Sequence, residues 1–179
     1  MREFKKTMIQ IKNIFLLTLL LSISACGYHL RGSIDLPEGL KSIYLQGGSS
    51  QLRKAMKRTL KSSGGQLVSD IEKAGLVVQV VKDEMERRVL SLSSTGRANE
   101  YEIIYKLEFN LLDIEGNTIS GKQKIQIDKD YFNDQEEVLG KDNEEQVIRE
   151  EMYRTAVQSI FNRSRVALEK KDINNRIKN

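Results

Sequence analysis

Residues 101–111 read YEIIYKLEFNL. Tyr101, Ile103, Tyr105, Leu107, Phe109 and Leu111 are apolar or aromatic, while Glu102, Lys106, Glu108 and Asn110 lie among the positions between them. A period of two marks a strand with one face in a core, because successive side chains of extended backbone point to opposite sides of a sheet. Downstream, Glu115-Gly116-Asn117 supplies a turn, and Ile119, Ile125, Ile127 and Tyr131 repeat the alternation opposite Ser120, Lys122, Lys124, Gln126 and Asp128. The two segments are predicted to pair as an antiparallel hairpin.

Upstream, Leu76 to Val81 reads LVVQVV, a strand with the look of full burial, followed by a charged break. Val89, Leu90 and Leu92 then begin an extended stretch that passes Ser93-Ser94-Thr95-Gly96 into the long strand. Lys41 to Gln46 alternates with Ile43 and Leu45 on one side, and Gly47-Gly48-Ser49-Ser50 turns it into a helix from Gln51 to Ser63. Leu52, Ala55, Met56 and Leu60 give that helix its apolar side, Ser49 or Ser50 its cap, and Gly64-Gly65 its stop. A second helix is expected from an acidic cap at Asp142-Asn143-Glu144-Glu145, with Ile148, Met152, Ala156 and Ile160 buried and the apolar period fading beyond Leu168. The fold expected is α+β, a two-layer sandwich with two helices packed on one face of a mixed four-stranded sheet. Its domain spans 41–168, between a tether at 26–40 and a frayed polar tail at 169–179.

Composition limits function. The chain has 179 residues, 39% hydrophobic and 30% charged, enough for one core. Of the formal charge of +4, the first twenty-five residues hold +3 (Arg2, Lys5, Lys6 and Lys12 against Glu3), which leaves +1 from Cys26 onward. A nucleic-acid protein needs concentrated cationic surface to displace counterions, so that class is disfavoured. One cysteine and one histidine, Cys26 and His29, rule out an intramolecular disulfide and argue against a metal site built on Cys/His clusters.

A basic start, an apolar run from Ile14 to Ile23 and small residues before Cys26 follow the layout of a secretory signal, residues 1–25, that is removed. At about 1.5 Å per residue the apolar run reaches about 15 Å, half of a bilayer's hydrocarbon core. Ile23-Ser24-Ala25-Cys26 resembles the bacterial lipobox, which implies S-diacylglycerol and N-acyl (palmitate-type) lipid on Cys26 as the membrane anchor. The alternative is an ordinary signal peptide, or a short inner-membrane anchor, with an incidental thiol. Gly27 rather than Asp after the cysteine is similar to the sorting pattern for the outer membrane, periplasmic side.

Other constellations read as structure first. Gly47-Gly48-Ser49-Ser50 sits where a phosphate loop would, but lacks the lysine and the spacing of one. Glu100, Glu102 and Glu108 suggest paired carboxylates, yet Glu102 and Glu108 fall on a polar strand face, and His29 has no visible dyad partner; no catalytic residue is assigned. Arg53, Lys54, Lys57, Arg58 and Lys61 form a basic helix side that either meets anionic lipid head groups or keeps the helix soluble. Arg97 and Lys141 are, on their own terms, ordinary surface cations.

One combination of motifs is more specific: Cys26-Gly27-Tyr28-His29-Leu30-Arg31-Gly32, Asn99-Glu100-Tyr101-Glu102, Asp130-Tyr131-Phe132-Asn133, and Lys141-Asp142-Asn143-Glu144-Glu145-Gln146 leading to Arg149-Glu150-Glu151-Met152-Tyr153. Together they resemble the lipopolysaccharide-assembly lipoprotein family LptE, formerly RlpB, from Cys26 to about Leu168. The resemblance implies a non-enzymatic lipoprotein that sits in the lumen of the outer-membrane barrel LptD, helps it assemble and plugs it while lipopolysaccharide passes to the outer leaflet. It also implies lipopolysaccharide contact through Lys141, within a matching motif, and through Arg97, which follows a glycine where Ser94-Thr95 replace an expected basic residue. The rival reading is a periplasm-facing lipoprotein that binds small lipids or scaffolds the envelope without a barrel.

Overall fold

A computed structural model describes residues 36–133 and 138–178. The alternating segment forms β4 (Ala98–Leu112), in which Ile103, Tyr105, Leu107, Phe109 and Leu111 are fully buried. β3 (Leu76–Leu92) and β5 (Thr118–Phe132) flank it, both antiparallel. The expected β4–β5 hairpin is present, with Tyr105 opposite Ile127 and Leu107 opposite Ile125. Ahead of these lie β1 (Ser42–Gln46), α1 (Ser50–Ser62) and β2 (Gln66–Val68), and after them α2 (Val138–Lys178). β1 runs parallel to β3 with Ile43 opposite Leu76 and Leu45 opposite Val78, as a strand, helix, strand unit requires.

The sheet order is β2-β1-β3-β4-β5, so the sheet has five strands where the sequence reading expects four. The additional one, β2, has three residues at a sheet edge, too few for a period to register; its place comes from pairing Ile43 of β1 with Leu67. The charged stretch after Val81 does not break β3 either. Asp83, Met85 and Arg87 face the same side as Leu107, Tyr105 and Ile103, and on the other side Glu86 and Arg88 pair across the ladder with Lys106 and Glu102. Cross-strand ion pairs stabilise charged strand faces, and on the opposite face half-buried Asp83 and Met85 supply the rest. Ser93 to Gly96 accordingly closes a tight β3–β4 hairpin, Gly96 taking φ +76°, a backbone conformation that strains residues with a Cβ.

Both helices share one core with the odd-numbered face of β4. α1 contributes Leu52, Met56 and Leu60, and α2 contributes Met152, Ala156, Val157 and Ile160, all unexposed. Ser49 caps α1 by accepting the Leu52 N–H at 3.2 Å, and Gly65 N–H closes its far end on Leu60 C=O at 2.8 Å. α2 starts at Val138, ahead of the expected cap at Asp142, and continues past Leu168 to Lys178. Helix growth from an already docked segment is cheap, and Lys171 adds a bond to Asp113 at 3.3 Å beyond the expected end. The core also reaches back before residue 41, since Leu36 and Leu40 are buried in it; the last residues of the expected tether belong to the domain. The expected signal segment, Cys26 and the rest of that tether lie outside the described residues. Among the described residues, no helix is long and apolar enough to cross a membrane.

Candidate functional site

The β3–β4 turn and the start of α2 occupy the same end of the domain. α2 runs from there toward the opposite end, where Lys171 meets Asp113 in the β4–β5 turn. The β3–β4 turn is built by local bonds: Ser93 and Arg97 close it backbone to backbone at 2.7 Å, and Ser93 Oγ accepts the Arg97 N–H at 3.2 Å. Arg97 itself is exposed. Asn133 fastens the end of β5 to the same strand entry, its Nδ2 donating to Ala98 C=O at 2.8 Å and its N–H to Asn99 C=O at 2.7 Å. Large apolar side chains are exposed here: Val89, Leu90, Leu92 and Phe132, the last two 63% and 68% accessible. The end is thus amphipathic, with an exposed arginine and uncovered hydrocarbon.

Glu145 docks the start of α2 onto this end. Its carboxylate is one-fifth exposed and accepts from the Tyr131 hydroxyl, from Arg87 at 3.0 Å and from Arg149 at 2.8 Å. Arg87 also lies 4.6 Å over the Tyr101 ring, which stacks on Tyr131 with centroids 5.6 Å apart. Burial pushes the Glu145 carboxyl upward, but the hydrogen bonds from Tyr131, Arg149 and Arg87 outweigh it and hold the group below the usual glutamate range. Burial and the bond to Glu145 push the Tyr131 hydroxyl up to about 12. Lys141 lies one helical turn before Glu145, about 6 Å further along the axis. Its side chain falls outside the described residues, as does Cys26. In the sequence Glu145 stands only as part of an expected cap and Arg87 as part of an expected charged break. The period-two continuation through Asp83, Met85, Arg87 and Val89 was the available signal.

The other candidates resolve into structure. The Gly47 to Ser49 loop already holds an internal anion: Asp83 accepts the Ser49 N–H at 2.6 Å and the Tyr105 hydroxyl at 2.8 Å. The unpaired amide that would greet a phosphate is therefore occupied by the protein's own carboxylate. Tyr105 is unexposed, and burial together with Asp83 drives its hydroxyl far above the ordinary tyrosine range. Glu102 and Glu108 do not converge on a cleft; Glu102 pairs with Arg88, and Glu108 with Lys122 and Lys124. Among the described residues no group of acidic, cysteine or histidine side chains is arranged to hold a metal.

A family model described as LptE, lipopolysaccharide-assembly, matches residues 40–164. The LPS-assembly lipoprotein LptE of Pectobacterium atrosepticum is 24% identical over 157 residues, covering 86% of this chain and 84% of its own length. Its namesake in Photorhabdus laumondii is 22% identical over 152 residues, covering 81% and 82%. Among solved structures, the solution structure of an uncharacterized lipoprotein B from Nitrosomonas europaea superposes with TM-score 0.63 at 27% identity, over 80% of this chain and 96% of that one. The crystal structure of the rare lipoprotein B from Shewanella oneidensis gives 0.57 at 26% identity, over 74% and 97%.

Proposed function

Because this chain belongs to the LptE lipopolysaccharide-assembly family, we propose that it acts by binding and assembly, without chemistry of its own, as a lipoprotein on the periplasmic side of the outer membrane. In this reading acyl chains on Cys26 anchor it, the LptD barrel is its partner and encloses it as a plug, and lipopolysaccharide is the ligand that it helps pass to the outer leaflet. The observation that carries the reading is the amphipathic end of the sheet, where exposed Arg97 and the exposed apolar residues Leu90, Leu92 and Phe132 lie at the same end as the helix start that contains Lys141. Lipopolysaccharide presents phosphates next to acyl chains. Charge-assisted bonds from arginine or lysine hold phosphate, and neighbouring apolar side chains favour the hydrocarbon that accompanies it.

The test uses the full chain. Arg97→Glu with Lys141→Glu is expected to weaken lipopolysaccharide binding by about tenfold or more, as two phosphate contacts become repulsions. Unchanged affinity would remove both residues from the site. Mild detergent extraction is expected to bring a large outer-membrane barrel down with the protein; a barrel-free monomer would refute the partnership. Radioactive fatty acid should label the wild type and not Cys26→Ser, and label on that variant would end the anchor assignment.

A further inference from the structure

Between α1 and the N-terminal half of α2 lies a groove of about 600 Å³ that the site above does not use. Ala55 and Met85, which back onto the core, and Val147, which is 60% exposed, supply its apolar lining. Its charged lining is unequal: Lys54, Arg58, Arg149 and Arg154 against Glu150 and Glu151. Both acids are already engaged, Glu150 with Arg58 at 3.6 Å and Glu151 with Lys129 at 3.9 Å, and Arg149 is held by Glu145. Lys54 and Arg154 have no carboxylate within ion-pair distance among the described residues.

The helix that forms one wall points the same way. α1 carries Arg53, Lys54, Lys57, Arg58 and Lys61 and not one acidic residue. Arg53 has a structural task, donating to Leu45 C=O at 3.0 Å. Lys54, Lys57, Arg58 and Lys61 are three and four residues apart on one face, where like charges repel and weaken a helix unless an anion lies between them. An excess of cations beside an apolar lining selects an anionic head with hydrocarbon attached. Pockets of roughly 300–1,000 Å³ enclose drug-sized molecules, which matches a phosphate head group with its first chain carbons and is far too small for a multiply acylated disaccharide.

We propose that the α1–α2 groove binds the head group of a single anionic glycerophospholipid, its phosphate oxygens held by Lys54 and Arg154 and the start of its chains laid over Met85 and Val147. The site uses neither Arg97 nor Lys141, so it stands or falls apart from the lipopolysaccharide reading. Binding weakens with salt as charged contacts do.

Methionine methyl resonances test this in the acylated full chain held in non-ionic detergent. Met85 lines the groove, while Met56 and Met152 are unexposed in the core and report folding. Dihexanoyl phosphatidylglycerol is expected to move the Met85 methyl saturably and leave Met56 and Met152 in place. Lys54→Glu with Arg154→Glu is expected to weaken that titration about tenfold or more, and Lys54→Gln with Arg154→Gln by less, with core resonances unchanged. A still Met85 methyl, or equal affinity in the folded variants, overturns the proposal. Inorganic phosphate producing the whole effect makes it a free-anion site, and an acidic peptide acting where the lipid does not makes it a protein contact; either result overturns the lipid assignment.

Discussion

Replacing Glu145 with Gln keeps the side chain's shape and removes its charge, so the loss reports the latch that seats the start of α2. Three donors, Tyr131, Arg87 and Arg149, converge on that carboxylate. Hydrogen bonds to a charged group contribute about 1.5–3 kcal/mol each when well shielded. Here the carboxylate is one-fifth exposed and Arg87 and Arg149 are 47% and 32% exposed, so solvent screening discounts the ionic part, and the whole substitution is expected to cost about 1–2 kcal/mol. The cost falls on a local opening of the first turns of α2 rather than on the buried segment from Met152 to Phe161. Amide hydrogen exchange at residues 144–150 should therefore quicken by about 5–30-fold, with residues 156–161 unaffected. Tyr131→Phe should act in the same direction, and the double variant should fall short of the sum by about 1 kcal/mol, since both remove one bond. Unchanged exchange in Glu145→Gln, or additivity within about 0.5 kcal/mol, would refute the latch.

The same cluster carries a pH signature with two limbs. Glu145 titrates below its unfolded value near 4.5, so its contribution is complete above about pH 4.5 and is lost as pH falls through the lower folded value; exchange at residues 144–150 followed from pH 6 down to 3 should show it. Tyr131 is raised from 10.0 to about 12, so its contribution is complete below pH 10 and is lost as pH rises toward 12, visible as tyrosinate absorbance that couples to loosening of α2. Tyr105→Phe keeps the buried ring but takes a donor from Asp83, and urea unfolding should show a loss of about 1.5–3 kcal/mol. Gly75→Ala brings a Cβ to 2.8 Å from the Gly39 carbonyl oxygen, backbone against backbone, and should lower stability by about 1–3 kcal/mol in the same assay.

Much of the fold is legible in single residues of the sequence. Tyr101 to Leu111 announces β4 because one face alternates without fault, and Ser49, Leu52 and Gly64-Gly65 mark α1 by cap, stripe and stop. β2 and the middle of β3 are not legible. Gln66-Leu67-Val68 is a strand only because β1 offers its edge, and Lys82 to Arg88 stays extended only because Lys106, Glu102 and the helix-side core accept it. The candidate site divides likewise: Arg97 is a cation beside a glycine in sequence, whereas its neighbourhood of Leu92, Phe132 and the α2 start is a product of pairing.

What the sequence determined by itself is local: the period of each long element, its caps and turns, and the family kinship carried by short motifs. These depend on neighbours a few residues away, whose geometry the backbone repeats faithfully. Tertiary structure decided which polar groups meet across the fold. Asp83 reaches Ser49 and Tyr105 across thirty-four and twenty-two residues, and Glu145 reaches Arg87 across fifty-eight. For such distant pairs the partner is set by distance in space, which separation along the chain does not encode.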